Sequence, residues 1–160
     1  MSKKMIELKS SDGVLFTIDE DVATQSQTLK RMVEDDCVKT TVPLENVTSK
    51  ILKIVIEYCE KHKHVVVSDS STVLEESKED LKNWDDEFVK KTEDSILFDV
   101  MIAAHYLEIQ SLIDLTCQTV ADLLSAGKTP EELRAQLDIE KDLTDEEEAT
   151  IRRENQWAFE

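Results

Sequence analysis

The chain has 160 residues, 40% of them hydrophobic, enough for one domain with a real core and a small helical appendage. Thirty-six acidic residues against 19 basic ones give a net charge of −17, which disfavours nucleic acid and anionic membrane as partners and favours basic protein surfaces. Two glycines and two prolines argue against a turn-rich barrel and for helices, and no stretch reads as a signal peptide or reaches the ~18 apolar residues of a membrane span.

The first element predicted is a hairpin. Ile6 and Leu8 alternate with Glu7 and Lys9, Ser10-Ser11-Asp12-Gly13 is a turn with Gly13 free to take positive φ, and Val14, Phe16 and Ile18 alternate with Leu15 and Thr17. Ser26 to Asp35 reads as a short helix with Leu29, Met32 and Val33 on one face. Thr41-Val42-Pro43-Leu44 is an extended segment, and Pro43 confines any strand there to a sheet edge. Thr48 to Lys63 is an amphipathic helix with Ile51, Leu52, Val55, Tyr58 and Cys59 as its apolar face.

Val65-Val66-Val67 reads as a small strand, and the Ser- and acid-rich run at about 68–80 as a flexible linker. Trp84 to Lys91 is helical, with Trp84 and Phe88 four apart. Ser95 to Ile109 is apolar on nearly every side and must be buried on more than one face. Ser111 to Ser125 follows, with Gly127 as its C-terminal stop. Thr129-Pro130-Glu131-Glu132 and Thr144-Asp145-Glu146-Glu147 are capping boxes that start two late helices. Leu133, Leu137, Ile139 and Leu143 give these a partial apolar face, which with Ile113, Cys117 and Val120 of the preceding helix is expected to wall a groove.

Chemistry that an enzyme needs is missing from the pattern. Cys59-x-x-His62-x-His64 lacks the remaining ligands of a zinc site and reads instead as solvent-facing residues at a helix end. Two glycines supply no phosphate loop, nucleophile elbow or dinucleotide fingerprint. Asp85-Asp86-Glu87 reads as surface charge, and no metal or cofactor is expected. Cys37, Cys59 and Cys117 are widely spaced, with two of them inside apolar helical patterns, and read as buried free thiols in a reducing compartment. The tail differs. Ile151, Trp157 and Phe159 are large apolar residues in a charged segment, and Trp beside Arg is the composition of a binding hot spot.

Six strings in chain order resemble the Skp (S-phase kinase-associated protein) family: Leu8-Lys9-Ser10-Ser11-Asp12-Gly13, Val42-Pro43-Leu44-Glu45-Asn46-Val47, Leu97-Phe98 followed by Ala103-Ala104-His105-Tyr106-Leu107, Leu115-Thr116-Cys117-Gln118-Thr119-Val120-Ala121, Gly127-Lys128-Thr129-Pro130-Glu131-Glu132, and the plant-like ending Arg152-Arg153-Glu154-Asn155-Gln156-Trp157-Ala158-Phe159-Glu160. The resemblance implies an α+β chain: a BTB/POZ domain over residues 1–126 and a C-terminal two-helix extension over 127–160 that completes an F-box-binding surface. It implies a non-catalytic adaptor, cytoplasmic and nuclear, that bridges a cullin scaffold to F-box substrate receptors in an SCF ubiquitin ligase, with the RING protein and E2 as indirect partners in protein degradation. By the same resemblance, Leu97, Ile113, Cys117, Val120, Leu133, Leu137, Ile139, Ile151, Asn155, Trp157 and Phe159 are expected to contact the F-box. Met32, Leu44, Asn46, His105 and Tyr106 are expected to contact the cullin. Two positions depart from the family pattern: His105 stands where Asn is usual, and Asp145 where some members carry Pro. The competing readings are another BTB-type adaptor, elongin C-like or a homodimeric regulator, and a small acidic enzyme. An elongin C-like chain ends near residue 126 and lacks the Trp157 tail, and the missing motifs argue against the enzyme.

Overall fold

A computed structural model describes residues 4–35, 41–63 and 75–158. It divides into two compact units, 1–120 and 121–160. The division falls inside a helix, six residues before the expected boundary.

The first unit opens with β1 (Met5–Lys9) and β2 (Leu15–Asp19), an antiparallel hairpin in which Leu8 faces Phe16 and Ile6 faces Ile18. Alternation decides the faces: Ile6, Leu8 and Ile18 are buried, while Met5, Leu15 and Thr17 are exposed. Gly13 sits in the turn at φ 85°, a value that an L side chain rarely adopts. β3 (Val42–Pro43) pairs parallel to β1, giving the order β2-β1-β3. Pro43 lies on the edge strand, as its missing donor requires.

Helices supply the rest. A single turn unforeseen in the sequence, α1 (Glu20–Ala23), buries Val22 and Ala23. Its signal is hidden by Asp19, Glu20 and Asp21, which look like plain surface charge. α2 (Gln27–Glu34) starts at Ser26, whose hydroxyl accepts the Leu29 N–H. α3 (Ser49–His62) buries Ile51, Leu52, Val55, Tyr58 and Cys59, the predicted face. α4 (Glu75–Lys91) begins well before Trp84, so residues 75–80 of the expected linker are helical. The helix former content of Glu75 to Leu81 outweighs its lack of apolar period. Residues 64–74, which hold the expected strand at 65–67 and the rest of the linker, lie outside the described residues, as do Cys37 and His64. α5 (Asp94–Leu107) buries Leu97, Val100, Ala103, Ala104 and Leu107 and packs against α3 and α2. α6 (Gln110–Leu124) buries Leu112 and Thr116.

The start of α3 is capped from a distance. Thr48 occupies the N-cap position without a side-chain cap bond. The carboxylate of Asp12, in the hairpin turn, accepts the Ser49 backbone N–H at 2.8 Å and the Ser49 hydroxyl at 2.5 Å, and the Ser10 hydroxyl donates to it as well. These bonds favour the ionised form and draw the Asp12 carboxyl down to about 2, with the Ser10 bond the largest cause.

The second unit contains α7 (Pro130–Leu137), α8 (Asp145–Glu154) and a 3-10 turn at Gln156–Ala158. Both capping boxes form. Thr129 accepts from the Glu132 N–H while Glu132 accepts from Thr129 N–H, and Thr144 and Glu147 repeat the exchange. None of the three elements buries a residue.

Asp12 yields a signed prediction. Its folded pKa lies below the ordinary 3.8, so its contribution is complete above that value and is lost as pH falls toward 2. Asp12→Ala should lower the urea midpoint at pH 5, and the gap from the parent protein should close as unfolding is repeated down to pH 2. A gap that stays constant with pH would remove the carboxylate as its cause.

Candidate functional site

The search for chemistry begins where the apparent metal fragment was expected. Cys59 and His62 are both buried, so the solvent-facing reading of His62 fails. The His62 Nδ1–H donates to the Tyr58 carbonyl at 2.8 Å, its ring stacks on Tyr58 at 3.9 Å, and Nε2 lies 3.1 Å from Oδ1 of Asp85. Trp84 and Phe88, one helical turn apart on α4, close the aromatic cluster. Asp85 is thus more than surface charge: burial pushes its carboxyl above the ordinary range, and the facing His62 opposes that push. Sequence reasoning missed this pair because its members are 23 residues apart and each is polar.

These groups do not form a reactive centre. Burial raises Cys59 to about 12, which keeps it a thiol, and raises Tyr58 to about 12. Among the described residues no three His, Cys, Asp or Glu side chains stand together as a metal site, and no helix is long and apolar enough to cross a membrane. What the cluster does is hold α4 against α3.

The uncovered surface is elsewhere. Met101, Ile102 and His105 of α5 and Ile113 and Cys117 of α6 line an open, mostly apolar cleft of about 310 Å³. Ile102 is 59% exposed, so the apolar surface of α5 that the sequence places on nearly every side is buried along Leu97, Val100, Ala103, Ala104 and Leu107 and left open at Ile102. Cys117 is exposed, contrary to the expected burial, because it faces this cleft rather than the core. Val120 is half-buried.

Of the residues expected at the cullin, His105, Tyr106 and Asn46 are exposed, Met32 is half-buried and Leu44 is 2% exposed. Leu44 packs in the core with Val42 and Val47 because strand alternation puts it on the same inner side as Val42, with its N–H still donating to the Lys9 carbonyl at 2.8 Å. Leu97 is likewise buried, on the inward stripe that α5 shares with Val100, Ala104 and Leu107. Neither side chain is presented to a partner in the free chain.

In the second unit, Ile139, Ile151 and Trp157 are exposed, Trp157 by 77%, and Leu133, Leu137 and Asn155 are half-buried. Phe159 lies outside the described residues. Ion pairs join the elements: Lys141 reaches Asp145 at 2.6 Å and Glu148 at 2.8 Å, and Arg152 reaches Glu148 at 3.0 Å and Glu131 at 3.8 Å. With no buried residue in α7 or α8, capping and charge hold helices that an apolar core does not. Thr129→Ala and Thr144→Ala should each cost about 0.5–2 kcal/mol of local helix stability. Faster amide exchange at residues 132 and 147, with the melt of the first unit unchanged, is the expected reading.

Comparison with known proteins gives consistent matches. Residues 4–64 match the model for the tetramerisation domain of the Skp1 family, and residues 110–158 match that for its dimerisation domain. The chain is 60% identical to SKP1-like protein 5 of Arabidopsis thaliana over 99% of both chains. It is 61% identical to SKP1-like protein 13 of the same plant, over 98% of this chain and 99% of that one. It is 54% identical to SKP1-like protein 1 of Oryza sativa subsp. japonica, over 99% of this chain and 96% of that one.

Proposed function

Because the chain belongs to the Skp1 family, we propose that it is a non-catalytic adaptor that joins an F-box protein to a cullin within an SCF ubiquitin ligase of the cytoplasm and nucleus. The observation that carries the reading is the apolar surface that the chain leaves in water. Ile102, with Met101, Ile113 and Cys117, opens the cleft of the first unit, and Ile139, Ile151 and Trp157 are exposed in the second. An open apolar cleft of this kind marks a protein interface, and the large apolar side chains exposed in the second unit add surface that a partner can cover. The F-box takes these surfaces, since an F-box is itself a small helical module with apolar faces. Such an interface is expected to bury on the order of 2,000 Å² or more, as obligate pairs do.

The cullin takes the face where α2 and α5 meet, with Met32 and Tyr106 as contacts and His105, which also lines the cleft, at the border between the two surfaces; exposed Asn46 is the remaining expected contact. Leu44 and Leu97, being buried, serve the two interfaces by shaping the backbone beside them. His105 keeps a donor and an acceptor where the family usually has Asn, so it retains hydrogen-bonding capacity with a different reach. RING protein and E2 join through the cullin and carry the ubiquitin chemistry.

Two substitutions separate the surfaces. Trp157→Ala removes an anchor that is already exposed in the free chain, so the melting temperature should not move. F-box affinity should fall by about thirtyfold or more, the equivalent of roughly 2–4 kcal/mol. Calorimetry with an F-box domain checks this, and affinity unchanged within twofold would take Trp157 out of the site. Tyr106→Glu should weaken binding to a cullin N-terminal fragment and leave F-box binding intact. Equal titrations of parent and variant would move the cullin contact elsewhere.

A further inference from the structure

The last turn of a helix leaves carbonyls without partners inside the helix, and such ends fray unless something else supplies donors. α5 ends in that way, and its end carries Tyr106. The chain turns at Glu108, which takes a left-handed φ of 53°. The turn returns the N–H groups of Glu108 and Ile109 to the Ala104 carbonyl, and the Glu108 N–H also reaches the carbonyl of His105. Three carbonyls remain, those of Tyr106, Leu107 and Glu108. All three are met by consecutive residues at the start of α2. The Thr28 hydroxyl donates to Tyr106 O at 3.3 Å, the Ser26 hydroxyl donates to Leu107 O, and the Gln27 N–H donates to Glu108 O at 3.2 Å.

We propose that Ser26 and Thr28 are positioning residues for the cullin face: their hydroxyls fasten the Tyr106 turn of α5 to α2, so that Tyr106 and Met32 present one fixed surface. The proposal rests on the reading of α2 and α5 as the cullin face. Helical spacing supports it, because Thr28 and Met32 are four apart and share a stripe of α2. The hydroxyl that holds Tyr106 therefore lies one turn from the α2 residue that makes contact beside it.

Arg31 adds an outer fastening, with Nη1 3.1 Å from a carboxylate oxygen of Glu108. Both side chains are well exposed, and ion pairs of that kind contribute little in water. Ser26 is buried and lies between a carbonyl acceptor and its own cap bond to Leu29 N–H, so the Ser26 hydroxyl contributes most, and the exposed Thr28 bond adds to it. Loss of Ser26 damages the helix start as well as the fastening, which makes Thr28 the cleaner test.

Three variants of the full chain decide it: Thr28→Val, which keeps the shape and removes the donor, Thr28→Ser, which keeps the donor, and Tyr106→Ala as the marker of the face. Each is titrated against a cullin N-terminal fragment and an F-box domain, and amide exchange is followed at Gln27 and residues 105–109. The expected result is a loss of cullin affinity of about threefold to tenfold for Thr28→Val, the worth of one hydrogen bond. Thr28→Ser stays within twofold of the parent, F-box affinity is unchanged throughout, and exchange quickens in the Val variant alone. If Tyr106→Ala weakens cullin binding and Thr28→Val does not, the proposal is overturned while the reading of the face stands. Equal losses for Val and Ser overturn it too, because the hydroxyl is then irrelevant. If Tyr106→Ala leaves cullin binding intact, the reading of the face fails. The fastening is then judged on exchange: unchanged rates in Thr28→Val overturn it, and faster rates uphold it as a lock on the α5 terminus.

Discussion

α5 is more apolar than the unit around it can cover, and the first 120 residues are arranged around that imbalance. Val100 and Ala104 are wholly inaccessible, and Leu97, Ala103 and Leu107 nearly so. Two adjacent alanines let the backbone of α5 approach α3 closely, and α3 answers with Leu52, Val55 and Cys59 in the same core. The sheet contributes Ile6, Leu8 and Ile18 to the same core. With those faces taken, Ile102 has nowhere to go. Leaving such a side chain in water forfeits roughly 1.5–3 kcal/mol that its burial would supply. The same helix is therefore the centre of the core and the place where the fold is left unfinished.

Polar residues do the joining at the edges of this core. Asp12 ties the hairpin turn to the start of α3, and the His62–Asp85 pair with its aromatic neighbours ties α4 to the end of α3. Gln25 donates to the Cys59 carbonyl at 2.5 Å, and Ser26 reaches the Leu107 carbonyl. Each meets a backbone or charged group that would otherwise stand unsatisfied at a helix end or inside the packed layer. The apolar residues set how much surface is hidden. The polar contacts set which helix end stands next to which, and hence which exposed side chains become neighbours.

The second unit is built on a different balance. Its helices are specified by caps and laced by Lys141 and Arg152, and they bury no residue of their own. Short helices are marginal in water without a packed face. Ile151 of α8, Ile139 between the helices and Trp157 of the closing 3-10 turn are exposed and gain most where a partner covers them.

The sequence alone determined whatever is decided within a few residues. Gly13 marks the hairpin turn, Thr129 with Glu132 and Thr144 with Glu147 mark where α7 and α8 begin, and Ile51, Leu52, Val55, Tyr58 and Cys59 mark the inner face of α3. Backbone preference and helical period act locally, so these features survive without knowledge of the fold. The six family strings added the α+β class and the expected interfaces. Helix α1 and the early start of α4 escaped, because acidic residues hide a helix that has little apolar period. Only the tertiary structure decided that His62 meets Asp85, that Asp12 rather than Thr48 caps α3, that Leu44 and Leu97 turn inward while Cys117 turns out, and that Ser26 and Thr28 hold the end of α5 across 81 and 78 residues of chain. In one dimension each of these polar residues looks like surface. Its role is fixed by which unsatisfied carbonyl, N–H or charge the packing brings opposite to it, and no local pattern records that.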